Sequence, residues 1–248
     1  MFNCRILVAG HTSATPTVML LLKQRGFLLE QQPSQQITHL LLPVPAFDPN
    51  GYIRGGENPE FLLESLDSST TVMGGNLNHP LLKDFPKIDL LEDPLFVSQN
   101  AAITAHCALR MILERLPCTA QRCPMLLLGW GRIGKCLAQL LRAVGAKVVV
   151  AARKEQDRAM LEALGYNTMN TTALDPTGFR VIINTVPELI LKDCDTDALK
   201  IDLASKPGIS GSDIIQARGL PSKDAPESSG HLIADTVTRI LRDQEVCI

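Results

Sequence analysis

The hexapeptide Gly129-Trp130-Gly131-Arg132-Ile133-Gly134 constrains the fold of this chain more than any other feature, because of what flanks it. Before it, Met125–Leu128 is a continuous apolar run of the kind a strand buried on both faces requires. After it, Lys135–Val144 repeats apolar residues at helical spacing, at Leu137, Leu140, Leu141 and Val144. Lys147–Ala151 then reads as a second, β-branched strand. In such a strand–loop–helix context Gly129 permits the tight turn, Gly131 lets a pyrophosphate approach the backbone, and Gly134 lets the helix pack closely. The amides that open the helix then face the anion. Arg132 stands where a guanidinium adds to the clamp. The whole string, with Trp130 and Ile133, is expected to hold a dinucleotide.

The end of the next strand decides which dinucleotide. A carboxylate there accepts from the ribose hydroxyls of NAD and repels a 2′-phosphate. This chain runs instead into Ala152-Arg153-Lys154, with no acid before Glu155. Arg153 offers a charged fork to a phosphate, so NADP is favoured over NAD.

Short apolar runs alternate with amphipathic stretches along the entire chain, the pattern of α/β layering. Strands are expected at Arg5–Ala9, His39–Leu42, Thr70–Met73, Met125–Leu128, Lys147–Ala151, Arg180–Thr185 and Leu199–Leu203. Helices are expected at Pro16–Gln24, closed by Gly26, and at Ala101–Leu116, Lys135–Val144, Gln156–Leu164, Ser212–Ala217 and Leu232–Arg242, with a short turn at Leu81–Phe85. Phe47–Glu60, rich in Pro, Gly and Asn, reads as a long loop. The fold expected is α/β, with two Rossmann-like or flavodoxin-like parallel-sheet domains joined by a long helix. Residues 1–98 form an N-terminal domain for substrate or partner, 99–117 the connecting helix, and 118–248 the dinucleotide-binding Rossmann domain, its last helix able to pack back on the first.

Composition removes other classes. The 248 residues carry 24 basic against 26 acidic side chains, dispersed, and 4% are aromatic. Neither a basic stripe nor stacking platforms are available, so no nucleic-acid partner is expected. No apolar run approaches the roughly 18 residues of a membrane span, and Ile6–Ala9 is too short for a secretory core. The seven cysteines are scattered without a C-x-x-C pair, so neither disulfides nor a metal site are suggested. Reduced thiols in a cytoplasmic chain are expected, Cys118 and Cys123 included.

Three further strings carry a resemblance. Asn184-Thr185-Val186-Pro187 closes one strand and Asp202-Leu203-Ala204-Ser205-Lys206-Pro207-Gly208 the next, while Gly219-Leu220-Pro221, Ala225-Pro226 and Gly230 precede the last helix. Together with Ala152-Arg153 and the glycine loop, they make the region from Asn100 to Arg242 resemble the dipicolinate synthase A-subunit family of spore-forming bacteria. The wider D-isomer 2-hydroxyacid dehydrogenase group is similar in layout.

The resemblance implies an NADP-dependent oxidoreductase subunit that oxidises dihydrodipicolinate to dipicolinate in sporulation. It further implies a small dicarboxylate as substrate, a homodimer as assembly and, as partner, a flavoprotein-like B subunit. Asn184, Thr185, Val186 and Pro187 are implied to line the cofactor. Asp202, Ser205 and Lys206 are implied as catalytic, with Lys206 binding a carboxylate and Asp202 orienting an amide or taking a proton. His106 stands where the family pattern has Glu and is the candidate acid/base near neutral pH. Other departures are Glu227 for a lysine, Ser222 for a glycine, Gly10-His11-Thr12-Ser13 for a Gly-Gly-Asp opening, and a stretch from Gly208 to Gly219 shorter by about one strand of 5–6 residues. They leave open a catalytically silent NADP-binding paralogue, a sensor or assembly partner. A D-2-hydroxyacid dehydrogenase needs an Arg and a His–Glu pair, where this chain has Ser205-Lys206 and Glu227.

Overall fold

The computed structural model describes residues 4–56 and 58–246, with the side chains of 244–246 left undescribed; Cys247 lies outside the described residues. The chain divides into two compact units, one running to Asn100 and resuming at Pro221, the other spanning Ala101–Leu220. The second unit therefore ends at Leu220 rather than continuing to 248, and the division falls inside the long helix.

The first unit opens with β1 (Arg5–Val8), α1 (Thr15–Gln24), β2 (Leu28–Glu30), β3 (His39–Leu41), α2 (Pro59–Glu64), β4 (Thr71–Gly74) and β5 (Lys87–Asp89). Its strands form one parallel sheet in the order β2-β1-β3-β4-β5, the flavodoxin-like winding. Pro16 sits in the first turn of α1, where its missing N–H leaves nothing unsatisfied. Gly26, at φ +87°, ends the helix: its amide and that of Phe27 donate to Lys23 and Leu22, the left-handed closure that favours glycine. Asn58 caps α2 by accepting from the Glu60 amide at 2.9 Å. The turn foreseen at Leu81–Phe85 is a 3₁₀ turn over Pro80–Leu82.

The connecting helix, α3 (Pro94–Arg115), begins seven residues before Ala101. Its start is set by Asp93, which accepts from the Phe96 amide at 2.7 Å, and by proline at the first helical position. The second unit continues with β6 (Pro124–Leu128), α4 (Arg132–Ala143), β7 (Lys147–Ala151), α5 (Glu155–Ala163), β8 (Asn167–Met169), β9 (Val181–Asn184), β10 (Leu199–Asp202) and β11 (Ile214–Gln216). They form a six-stranded parallel sheet in the order β11-β10-β9-β6-β7-β8. This is the Rossmann winding, with the order reversing between β6 and β9. Met125 to Leu128 and Val181 to Asn184 are wholly buried along its middle. α4 packs Gly134, Leu137, Ala138 and Leu141 inward.

Ser212–Ala217 is not a helix. Ile214–Gln216 pairs with β10 in the register Lys200↔Ile214 to Asp202↔Gln216, and the Ala217 amide donates to the Asp202 carbonyl at 2.8 Å. Asp213 at φ +54° and Gly211 at φ +138° bar a helix from starting there, and the β-branched Ile214-Ile215 pair suits a sheet edge. The sheet is thus complete: the strand that the short Gly208–Gly219 course lacked is present, three residues long.

After α6 (Leu220–Asp224), α7 (Pro226–Val246) returns to the first unit and packs on α1. A Cβ on Gly230 would lie 2.6 Å from Thr17 Cβ. Arg25 pairs with Asp235 and donates to Thr238 Oγ1 at 2.8 Å, while Arg239 reaches Asp93 at 2.6 Å. Among the described residues no helix is long and apolar enough to cross a membrane.

Asp93 thus caps one helix and pairs with another. Burial pushes its carboxyl up, but the Phe96 amide and the Arg239 guanidinium outweigh that and hold it below the ordinary carboxylate value. A carboxyl lowered in the folded state stabilises fully above its unfolded pKa and loses that contribution as pH falls through the folded one. Asp93→Asn is expected to cost about 1–2 kcal/mol at pH 7. In urea titrations the gap to wild type should close as pH drops below about 4.

Candidate functional site

The loops that follow β6, β7, β9 and β10 gather at the carboxyl end of the second sheet. Gly129 leaves β6 at φ +104°, and its amide donates to the Ala151 carbonyl at 2.9 Å. A Cβ there would stand 2.5 Å from Thr185 Oγ1 and 2.7 Å from Val186 Cγ2, so only glycine lets the β6 and β9 loops come this close. Thr185 seals the contact by donating both its amide and its hydroxyl to the Leu128 carbonyl, each at 2.9 Å. Gly134 packs against the Gly129 carbonyl, which brings the start of α4 against the end of β6. At Gly131, by contrast, a Cβ would meet nothing within 4 Å. The motif glycines therefore divide into two that close the backbone and one that leaves open space beside the helix start.

Arg132 is exposed and Ile133 half-buried at the first turn of α4. Their amides and that of Gly134 precede the first amide that donates along the helix, that of Lys135, which bonds back to the Gly131 carbonyl. The Trp130 ring turns to Tyr166, centroids 6.0 Å apart, with Lys135 Nζ 5.9 Å from its own centroid. Trp130 thereby braces the loop.

Beyond β7, Ala152 is buried, with Arg153 and Lys154 exposed after it. Arg158 on α5, which sequence reasoning missed, donates to the carbonyls of Ala152 and Arg153 at 2.9 and 2.7 Å and fixes this turn. A second missed residue is Glu188, four positions past β9, which stands 3.6 Å from Arg153. Both side chains of that pair are well exposed, 71% and 65%, so the attraction is weak, about 0–1 kcal/mol. The pair bridges the loops of the two strands that flank β6. Nothing in the sequence announces it, because the contact exists only once β9 lies beside β6.

Asn184 and Asp202 end adjacent strands and are both fully buried. Asn184 Nδ2 donates to Asp202 Oδ1 at 2.8 Å and to the Val186 carbonyl at 2.9 Å, and its Oδ1 accepts from the Val186 amide. Asp202 also accepts from the amides of Ala204 at 3.1 Å, Gly208 at 2.7 Å and Ile209 at 3.4 Å. Its two oxygens serve four donors of its own chain. In this structure the carboxylate expected to be catalytic orders the loop that follows β10. What it orders is a loop with Ser205, Lys206 and Pro207 exposed at its crest. Pro187 is exposed and Val186 half-buried on the neighbouring loop. His106 is exposed on α3, and its side chain makes no hydrogen bond or ion pair among the described residues.

An all-parallel sheet of this winding, with a glycine turn at its switch point and an open helix start, defines a dinucleotide-binding Rossmann unit. Joined to a second parallel α/β unit, it gives this chain the fold of two-domain dehydrogenases. The chain resembles one such protein in particular: it is 25% identical over 241 residues to the A subunit of dipicolinate synthase from Bacillus subtilis (strain 168), covering 87% of this chain and 81% of that one. The crystal structure of the same subunit from Bacillus halodurans superposes with a TM-score of 0.84 at 21% identity, over 97% of this chain and 98% of that one. The apo-structure of D-lactate dehydrogenase from Escherichia coli shares the fold more distantly, with a TM-score of 0.59 at 12% identity over 97% and 96%. No family model matches the chain.

Two outcomes follow from this geometry. Asp202→Asn should destabilise the protein by about 1.5–3 kcal/mol in chemical denaturation, since charge-assisted bonds to buried amides are lost. Gly131→Val should leave stability within about 0.5 kcal/mol of wild type, because its Cβ meets open space, while abolishing dinucleotide binding in calorimetry.

Proposed function

We propose that this chain is an NADP-dependent oxidoreductase subunit of the dipicolinate synthase A type, acting on a dihydropyridine dicarboxylate in sporulation. The open space at Gly131, beside unpaired helix-start amides in a chain that resembles dipicolinate synthase A over most of its length, carries this reading. The residues present fit a nicotinamide dinucleotide. The amides of Arg132, Ile133 and Gly134 would hold its pyrophosphate with the Arg132 guanidinium, and Arg153 with Lys154 would hold a 2′-phosphate. Thr185, Val186 and Pro187 would line the nicotinamide side.

Bound there, the nicotinamide supplies a two-electron acceptor for hydride. The dihydropyridine gives up one hydride and one proton, the proton leaving to water, and becomes aromatic. Since aromatisation drives the step, the protein has mainly to position rings and carboxylates. Ser205 and Lys206, exposed on the loop that Asp202 orders, are the groups of the second unit that bind a substrate carboxylate. The hydrogen-bonded burial of Asp202, and the exposure of His106 without a hydrogen-bonding partner among the described residues, favour a second reading, in which the chain binds NADP without turnover. The assembly we propose is a homodimer whose partner is a B subunit; sedimentation of the protein alone and mixed with that partner tests both.

Calorimetry should show NADPH bound more tightly than NADH by about tenfold, with Arg153→Ala erasing the difference. Glu188→Gln should tighten NADPH about two- to fivefold, the worth of a weak exposed pair, and leave NADH nearly unchanged. Mixed with NADP⁺, dihydrodipicolinate and a B subunit, the protein should generate NADPH absorbance. Cofactor binding without turnover selects the silent reading.

A further inference from the structure

The first unit holds a half-buried arginine that has no counter-charge among the described residues. Arg54 lies in the segment that follows β3, a hairpin closed by the bridge between Phe47 and Ile53. Its backbone is pinned to three strand ends. The Arg54 amide donates to Ala46 at 2.9 Å, the Ala46 amide to Gly75 beyond β4 at 2.7 Å, and the His11 amide beyond β1 to the Arg54 carbonyl at 2.7 Å. Two close backbone approaches keep it there: Gly10 packs against the Arg54 carbonyl, and Gly55 against the backbone of His11. Arg54 is therefore a fixed residue at the carboxyl end of β1, β3 and β4. That is the edge at which parallel α/β sheets take ligands, next to the order reversal between β1 and β3.

The side chain itself is unsatisfied. Its Nε is buried with no hydrogen-bond partner, and among the described residues no acid or carbonyl pairs with the guanidinium. The nearby acid of the hairpin, Asp48, spends Oδ1 on the amides of Asn50 and Tyr52. A guanidinium taken partly out of water without an anion is costly. The exposed His11 adds a ring N–H donor, and the start of α1, whose cap Ala14 supplies no side-chain acceptor, adds positive potential, neither of them adding an acid.

We propose that Arg54 anchors a carboxylate-binding site in the first unit, its planar fork receiving one carboxylate of a dicarboxylate ligand. The identity of that ligand rests on the reaction proposed above; the site does not.

Full-length protein is titrated calorimetrically with pyridine-2,6-dicarboxylate, and in parallel with succinate, malate and inorganic phosphate. Wild type should bind the pyridine dicarboxylate, Arg54→Gln should weaken it by about tenfold or more, the worth of one charge-assisted pair, and Arg54→Lys should fall between. NADPH affinity should stay unchanged in both variants. Thermal unfolding gives an independent readout: without ligand Arg54→Met should be at least as stable as wild type, because the charge it removes has no partner, and only wild type should gain stability from the dicarboxylate. Equal dicarboxylate binding by wild type and Arg54→Gln overturns the site, and so does a wild type that binds none of the carboxylates. Arg54-dependent binding of succinate or malate, with none of the pyridine compound, upholds the site and removes the proposed reaction. Response to phosphate alone overturns the carboxylate assignment.

Discussion

A carboxylate sealed inside the second unit organises that unit's ligand end. Asp202 is fully buried, and burial of an ionised acid is tolerable only when its lone pairs are filled. Asn184 and the amides of Ala204, Gly208 and Ile209 fill them. Because these donors come from the end of β9 and from both ends of the loop after β10, satisfying one charge sets the course of two loops. The Ile190 and Leu191 amides, which donate to the Gly208 carbonyl, extend the same network. Ser205 and Lys206 are exposed as a consequence, since the loop's ends are tied down and its crest is not.

Arg54 in the first unit is the opposite case. There the backbone is tied down as firmly, yet among the described residues the charge has no partner. An internal charge satisfied by its own chain serves architecture, whereas one held rigidly and left uncompensated is arranged for something that arrives from solution. The same contrast separates Gly129 and Gly134, which are pressed against backbone, from Gly131, which faces open space.

How much of this is legible in the sequence depends on position within the sheets. The seven interior strands all stand out close to their bounds, because burial on both faces leaves an unbroken apolar run such as Met125–Leu128. The four edge strands, β2, β5, β8 and β11, escape that reading, and β11 reads as a helix. Each is three residues long and covered on one side only, as Lys87–Asp89 and Asn167–Met169 show with their polar residues. Reading β11 as a helix produces an apparent missing strand where the sheet is whole. The start of α3 is equally written in Asp93-Pro94, a cap followed by a helix-opening proline.

The sequence by itself determined the winding core of each unit and the glycine crevice, since strand burial and the turn after β6 are dictated by residues adjacent in the chain. Only the tertiary structure decided what the polar residues do. Asp202 is held by Asn184 and its own loop, Glu188 stands opposite Arg153, and Arg54 has no partner among the described residues. All three depend on which strands lie side by side, and in these sheets β6 neighbours β9 and β1 neighbours β3 across intervening chain that no local pattern encodes.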